Sequence, residues 1–119
     1  MDRHSVIDEA DLLERIGGDV EFLNEIATMF LDECPRIVQE IRVACASGDA
    51  EALQHAAHTL KGCVANFGAG PACEAASRLE TIGRSGNLAP APVACTELES
   101  ELARFTQALS VLSSGAAGH

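Results

Sequence analysis

Apolar residues recur at helical spacing through almost the whole of this chain, and nowhere do they alternate with polar ones as a half-buried strand requires. The clearest run is Leu98, Leu102, Phe105, Leu109 and Leu112, in steps of four and three residues. Leu53, Ala56, Ala57, Leu60, Val64 and Phe67 share one face of a helix predicted from Ala50 to about Phe67. Ala72, Ala75 or Ala76, Leu79 and Ile82 carry another, from Pro71 to about Arg84. A longer segment from Asp19 holds the phase over Phe22, Ile26, Met29 or Phe30, Ile37, Ile41 and Ala44, on both sides of Pro35. One long kinked helix is expected there. Two helices broken at Cys34-Pro35 are the alternative, because an interior proline removes a hydrogen bond and crowds the carbonyl four residues back.

The punctuation between these segments is short. Ser47-Gly48-Asp49 reads as a helix stop followed at once by an N-cap, and Gly68-Ala69-Gly70 breaks the chain ahead of Pro71, a residue suited to a first helical position. Ser85 to Pro92, rich in Gly, Asn and Pro, is the longest connection. Near the start, Asp8 can cap a short helix through Ile16, stopped by Gly17-Gly18; at the other end Gly115 to His119 is a small-residue tail expected to fray. Short links make successive helices antiparallel neighbours. The expected fold is therefore all-α, an antiparallel up-down-up-down four-helix bundle with a short extra N-terminal helix. It forms one domain over residues 1–119, with an ordered core of about 8–113.

With 119 residues, 47% of them apolar, the chain can bury roughly two-thirds of its unfolded surface in a core of its own, and a monomer is expected. Eighteen Asp and Glu against eight Lys and Arg leave a formal charge of −10, the wrong sign for nucleic acid or anionic lipid. No apolar stretch approaches the ~18 residues a spanning helix needs, and Met1 to Glu9 is polar, so neither export nor membrane insertion is expected. The five cysteines form no C-x-x-C pair, which suggests neither a disulfide framework nor a zinc site and fits a reducing cytoplasm.

A bundle is only a scaffold, so function has to come from a site. On the Ala50 to Phe67 helix, His58 falls opposite the centre of the apolar face, together with Gln54, Lys61, Gly62 and Ala65. Lys61 is the only lysine in the chain, and it stands one turn from this solvent-facing histidine in an otherwise acidic protein. Gly62 costs about 1 kcal/mol of helix propensity relative to Ala, and leaving the imidazole uncrowded is one reason for its presence. A bare nucleophile with a cation beside it suits a small dianion such as a phosphoryl group.

The segment His58-Thr59-Leu60-Lys61-Gly62-Cys63-Val64-Ala65-Asn66-Phe67-Gly68-Ala69 resembles the signature of the histidine-containing phosphotransfer (HPt) domains of bacterial phosphorelays. Phe30-Leu31-Asp32-Glu33-Cys34-Pro35, the Ser47-Gly48-Asp49 break and Leu79-Glu80 are also similar to that family, and the likeness extends over roughly Leu12 to Leu112. Cys63 departs from it, since the family often has Ser there. The resemblance implies that His58 accepts a phosphoryl group from a receiver-domain aspartate and passes it to another receiver. It implies further that Lys61 pairs with the phosphoryl oxygens, that Glu80 bonds the imidazole Nδ1–H, and that Arg84, one turn beyond, adds positive charge near the phosphate. Fixing the proton on Nδ1 leaves the Nε2 lone pair free to attack, which makes that arrangement physically coherent. The implied partners are response-regulator receiver domains and a hybrid sensor histidine kinase. Such a domain is a phosphocarrier with no ATP hydrolysis of its own, needing no cofactor because the receiver supplies Mg²⁺.

Plainer readings stand beside these. His55, one turn before His58, reads as a solvated histidine; the pair as a metal half-site lacks the Glu-x-x-His motifs of di-metal bundles. Cys63 would be redox-active only if Lys61 lowered its pKa, and its position at the edge of the apolar face favours a small structural residue. Glu80 on its own is an ordinary carboxylate. Two other functions remain as alternatives: a bundle that docks a receiver or effector without chemistry, and the histidine-bearing module of a chemotaxis-type kinase, phosphorylated by an ATP-binding domain.

Overall fold

A computed structural model describes residues 20–67 and 70–118, with side chains over 21–67 and 70–110. The short helix expected from Asp8 to Ile16, its Gly17-Gly18 stop, the start at Asp19 and the Gly68-Ala69 part of the break lie outside the described residues. Four helices account for the rest: α1 (Val20–Ser47), α2 (Ala50–Ala65), α3 (Pro71–Ser85) and α4 (Ala91–Gly118). No strand occurs among the described residues.

The first helix is continuous through Pro35, which is exposed. Its buried stripe is Leu23, Ala27, Phe30, Cys34, Ile37, Ile41 and Ala44. Phe22 of the expected stripe turns outward, 45% exposed, and of the alternatives Met29 and Phe30 it is Phe30 that is buried, Met29 being 65% exposed. Both registers look apolar over the first turns. Continued at helical spacing, however, the register of Phe22, Ile26 and Met29 runs into Glu33, Arg36 and Glu40, whereas that of Leu23 stays apolar to Ala44. Arg36 bonds both of those glutamates along the outer face.

Gly48, in the left-handed region at φ 73°, ends α1, and the Asp49 carboxylate caps α2 by accepting a 3.0 Å bond from the Ala52 N–H. Gly70 is extended and Pro71 opens α3, while Gly86, at φ 80°, closes it. The last helix departs from expectation at its start. It begins at Ala91 with Pro92 inside its first turn, where a missing N–H costs nothing. Its backbone is helical to Gly118.

Each helix packs against its neighbours in sequence and α1 packs against α4, closing the bundle. Leu53, Leu60, Leu79, Leu98 and Leu109 fill the middle with no exposure. At one end the rings of Phe30, Phe67 and Phe105 meet edge to face, centroids 5.3–5.7 Å apart, tying α1 and α4 to the chain leaving α2. Between α2 and α3 the fit is tightest at Gly83. A Cβ there would lie 2.6 Å from the backbone nitrogen of Gln54 and 2.9 Å from the carbonyl oxygen of Ala50. Only a residue without a side chain lets the two helices approach this closely.

Candidate functional site

His58 projects from the outer face of α2, its side chain 66% exposed, while the apolar residues on the opposite side of the helix are buried. Its Nδ1 lies 2.8 Å from Oε2 of Glu80 on α3. Glu80 is the single charged residue among the buried ones described, its side chain 6% exposed. A buried carboxylate without partners would be costly, and this one has three. Lys61 Nζ lies 2.5 Å from Oε1, and Arg84 Nη2 donates to Oε2 over 3.1 Å.

These partners decide the protonation pattern. The hydrogen bond from Lys61 above all, and that from His58, hold the Glu80 carboxyl below its usual range against the opposing push of burial. Glu80 is therefore an ionised group that can only accept. In the neutral ring the proton must then sit on Nδ1, and Nε2 carries the lone pair. A carboxylate at Nδ1 also steadies positive charge developing on the ring when Nε2 forms a bond.

The surroundings leave room for a partner. An open groove of about 730 Å³ passes His58 between the start of α2 and the end of α3, with Asp49, Glu51, Gln54 and His55 along it. On the other side, one turn beyond His58, Gly62 is exposed, and a Cβ added there would meet nothing within 4 Å. No packing contact inside the chain requires glycine at that position.

His58, Lys61, Glu80 and Arg84 are thus brought together, with Gly62 beside them. Both cations assigned by resemblance to a phosphate pair with Glu80, sharing the carboxylate that bonds His58. All six cationic side chains described, Arg36, Arg42, Lys61, Arg78, Arg84 and Arg104, pair with carboxylates, and two of them converge on this one. His55 lines the same groove, while Cys63 lies on the far side toward Glu33 and Arg36. Burial, reinforced by Glu33, pushes the Cys63 thiol up, which is the opposite of activation. Among the described residues no group of three or more His, Cys, Asp or Glu is arranged to hold a metal ion, and no helix is long and apolar enough to cross a membrane.

Gly83 is the residue that sequence reasoning missed. It stands one turn from Glu80 and sets how near α3 comes to α2, and hence how near the carboxylate comes to the imidazole. An isolated glycine inside a helical pattern is a signal of close backbone approach, and Gly83 between Ile82 and Arg84 carried it.

The family model described as Hpt domain matches residues 25–108. No curated protein sequence matches this chain. Among solved structures, the bundle is similar to that of histidine-containing phosphotransfer protein B (HptB) from Pseudomonas aeruginosa PAO1, with a TM-score of 0.82 and 25% identity, over 90% of this chain and 93% of that one.

Proposed function

This chain belongs to the Hpt domain family and is a histidine phosphotransfer intermediate of phosphorelays, and on that premise we propose that His58 is the residue that carries the phosphoryl group. The observation that supports this most directly is the 2.8 Å contact between His58 Nδ1 and the buried, ionised Glu80. The Nε2 lone pair attacks the phosphorus of a receiver's aspartyl phosphate. As the P–N bond forms, the P–O bond to the aspartate breaks and its electron pair returns to the carboxylate. Nδ1 keeps its proton throughout, and Glu80 balances the charge that appears on the ring. The reverse step delivers the group to the aspartate of another receiver.

Lys61 is the cation within reach of both groups. Its ammonium needs only to turn from Glu80 Oε1 to meet an incoming phosphoryl oxygen. Gly62 keeps the approach to Nε2 open. Mg²⁺ belongs to the receiver, and this domain acts as a carrier with no ATP hydrolysis of its own. The partners are receiver domains, with a hybrid sensor kinase as a source of phosphate; the chain works as a cytoplasmic monomer.

Intact-mass measurement after incubation with a phosphorylated receiver tests this. The expected result is an acid-labile gain of one phosphoryl group, absent in His58→Gln, with helicity retained by circular dichroism. Uptake by that variant at the native rate rejects the assignment. A purified ATP-binding kinase domain presented as an alternative donor separates the relay carrier from the chemotaxis-type module.

A further inference from the structure

Arg84 lines the groove that passes His58, and its ion pair is with Glu80. Its guanidinium donates to Oε2 of Glu80, the oxygen that accepts from His58 Nδ1. One oxygen is thereby shared between a cation and the proton of the imidazole. The sharing follows from chain geometry, since Arg84 lies four residues after Glu80 on α3 and thus on the same face.

We propose that Arg84 is a positioning residue that acts through Glu80 to set how readily phosphorylated His58 gives up its phosphoryl group. The proposal rests on His58 being the phosphoacceptor. When phosphohistidine loses its phosphoryl group to water, the water oxygen attacks phosphorus and the P–Nε2 bond breaks. The electron pair returns to Nε2. The ring departs easily if Nδ1 already carries a proton, because it then leaves neutral; without that proton it must leave as an anion. A carboxylate at Nδ1 favours the protonated, labile form. A guanidinium on the same oxygen draws the carboxylate's charge to itself and opposes a positive ring nearby, so it favours the unprotonated, longer-lived form. Glu80 and Arg84 therefore pull in opposite directions on one proton.

The other charged groups around His58 do not duplicate this role. On α2 and its cap these are Lys61, bound to the other oxygen, together with His55, Glu51 and Asp49 along the groove. From α3 they are Glu80 and Arg84 alone, and the α1 residue Glu40 lies in the neighbouring depression with His55. Removing Arg84 leaves all of them in place. Its side chain is 61% exposed and takes no part in the core, so the bundle does not depend on it.

The test uses the full chain, phosphorylated by phosphoramidate and freed of donor, with loss of the phosphoryl group followed by intact mass between about pH 5 and pH 9. In Arg84→Ala the acid-promoted limb of the rate profile is expected to move to higher pH, shortening the lifetime at neutral pH by about two- to fivefold, with the difference shrinking as salt is added. Glu80→Gln is expected to move the limb to lower pH. Arg84→Lys, which keeps the charge, is expected to restore most of the native profile. Opposite shifts for the Arg84 and Glu80 variants are what distinguish this role from loosening of the site, which would move both the same way. An Arg84→Ala profile identical to the native one, or one shifted in the same direction as Glu80→Gln, overturns the proposal. Failure of the native chain to take up any phosphoryl group rejects the phosphocarrier reading itself and this inference with it.

Discussion

Gly83 lies so close to Gln54 that a methyl group on its Cα would come within 2.6 Å of the Gln54 backbone nitrogen. The obstacle is backbone, which cannot swing aside as the end of a flexible side chain can. Gly83→Ala is therefore expected to destabilise the bundle by about 1–3 kcal/mol, as overpacking a close helix contact does. It should also lengthen the path between Glu80 and His58, so transfer from a receiver should slow even where the variant remains folded. Urea denaturation and a transfer rate below the unfolding transition check the two effects separately. Native stability in this variant would mean that the helices slide apart without cost.

Gly62 provides the contrasting case. A Cβ there meets nothing, so Gly62→Ala should gain helix propensity and raise stability by up to about 1 kcal/mol. Its cost should appear only when something must approach His58. Phosphorylation by a small donor should be nearly native in this variant, while transfer from a receiver domain should fall. Equal transfer rates from the receiver would show that glycine at this position does not serve access.

Glu80 links the site to stability through pH. Its carboxyl is held low by Lys61 first and by His58, so its contribution is present above the unfolded Glu value of about 4.3. That contribution is lost as pH falls through the lowered folded value. The urea midpoint of the native chain should thus drop more steeply on acidification than that of Glu80→Gln. Parallel curves for the two proteins would contradict this coupling.

Lys61→Ala removes the largest influence holding Glu80 down and, in the proposed mechanism, the cation that meets the phosphoryl oxygens. Transfer should slow without being abolished, because Nε2 and the Nδ1–Glu80 bond remain. Single-turnover transfer from a phosphorylated receiver measures this. A complete loss of uptake would assign Lys61 a role beyond charge.

Much of the fold could be read directly. The Asp49 cap, the Gly48 stop and the stripe from Leu98 to Leu109 are local patterns, and local backbone preferences decide them. The register of α1 was harder. Phe22 and Met29 look as apolar as Leu23 and Phe30 over the first turns, and the two stripes, about 100° apart, separate only when each is followed along the whole helix. The continuity of α1 through Pro35 was equally undecided, since a proline on an exposed face and one against a neighbour look the same in one dimension.

For the site, the chain's own residues determined the outward position of His58, the single lysine one turn away and the bare glycine beside it, because all three follow from the 3.6-residue period of one helix. What only the tertiary structure decided is the company Glu80 keeps. Its 22-residue separation from His58 spans two helices and a break, and the distance is closed by the contact at Gly83. That Lys61 and Arg84 both rest on its carboxylate is a consequence of burial. A charge placed inside must gather cations: Arg84, four residues on, comes with the helix, whereas Lys61 reaches Glu80 from α2 only through packing.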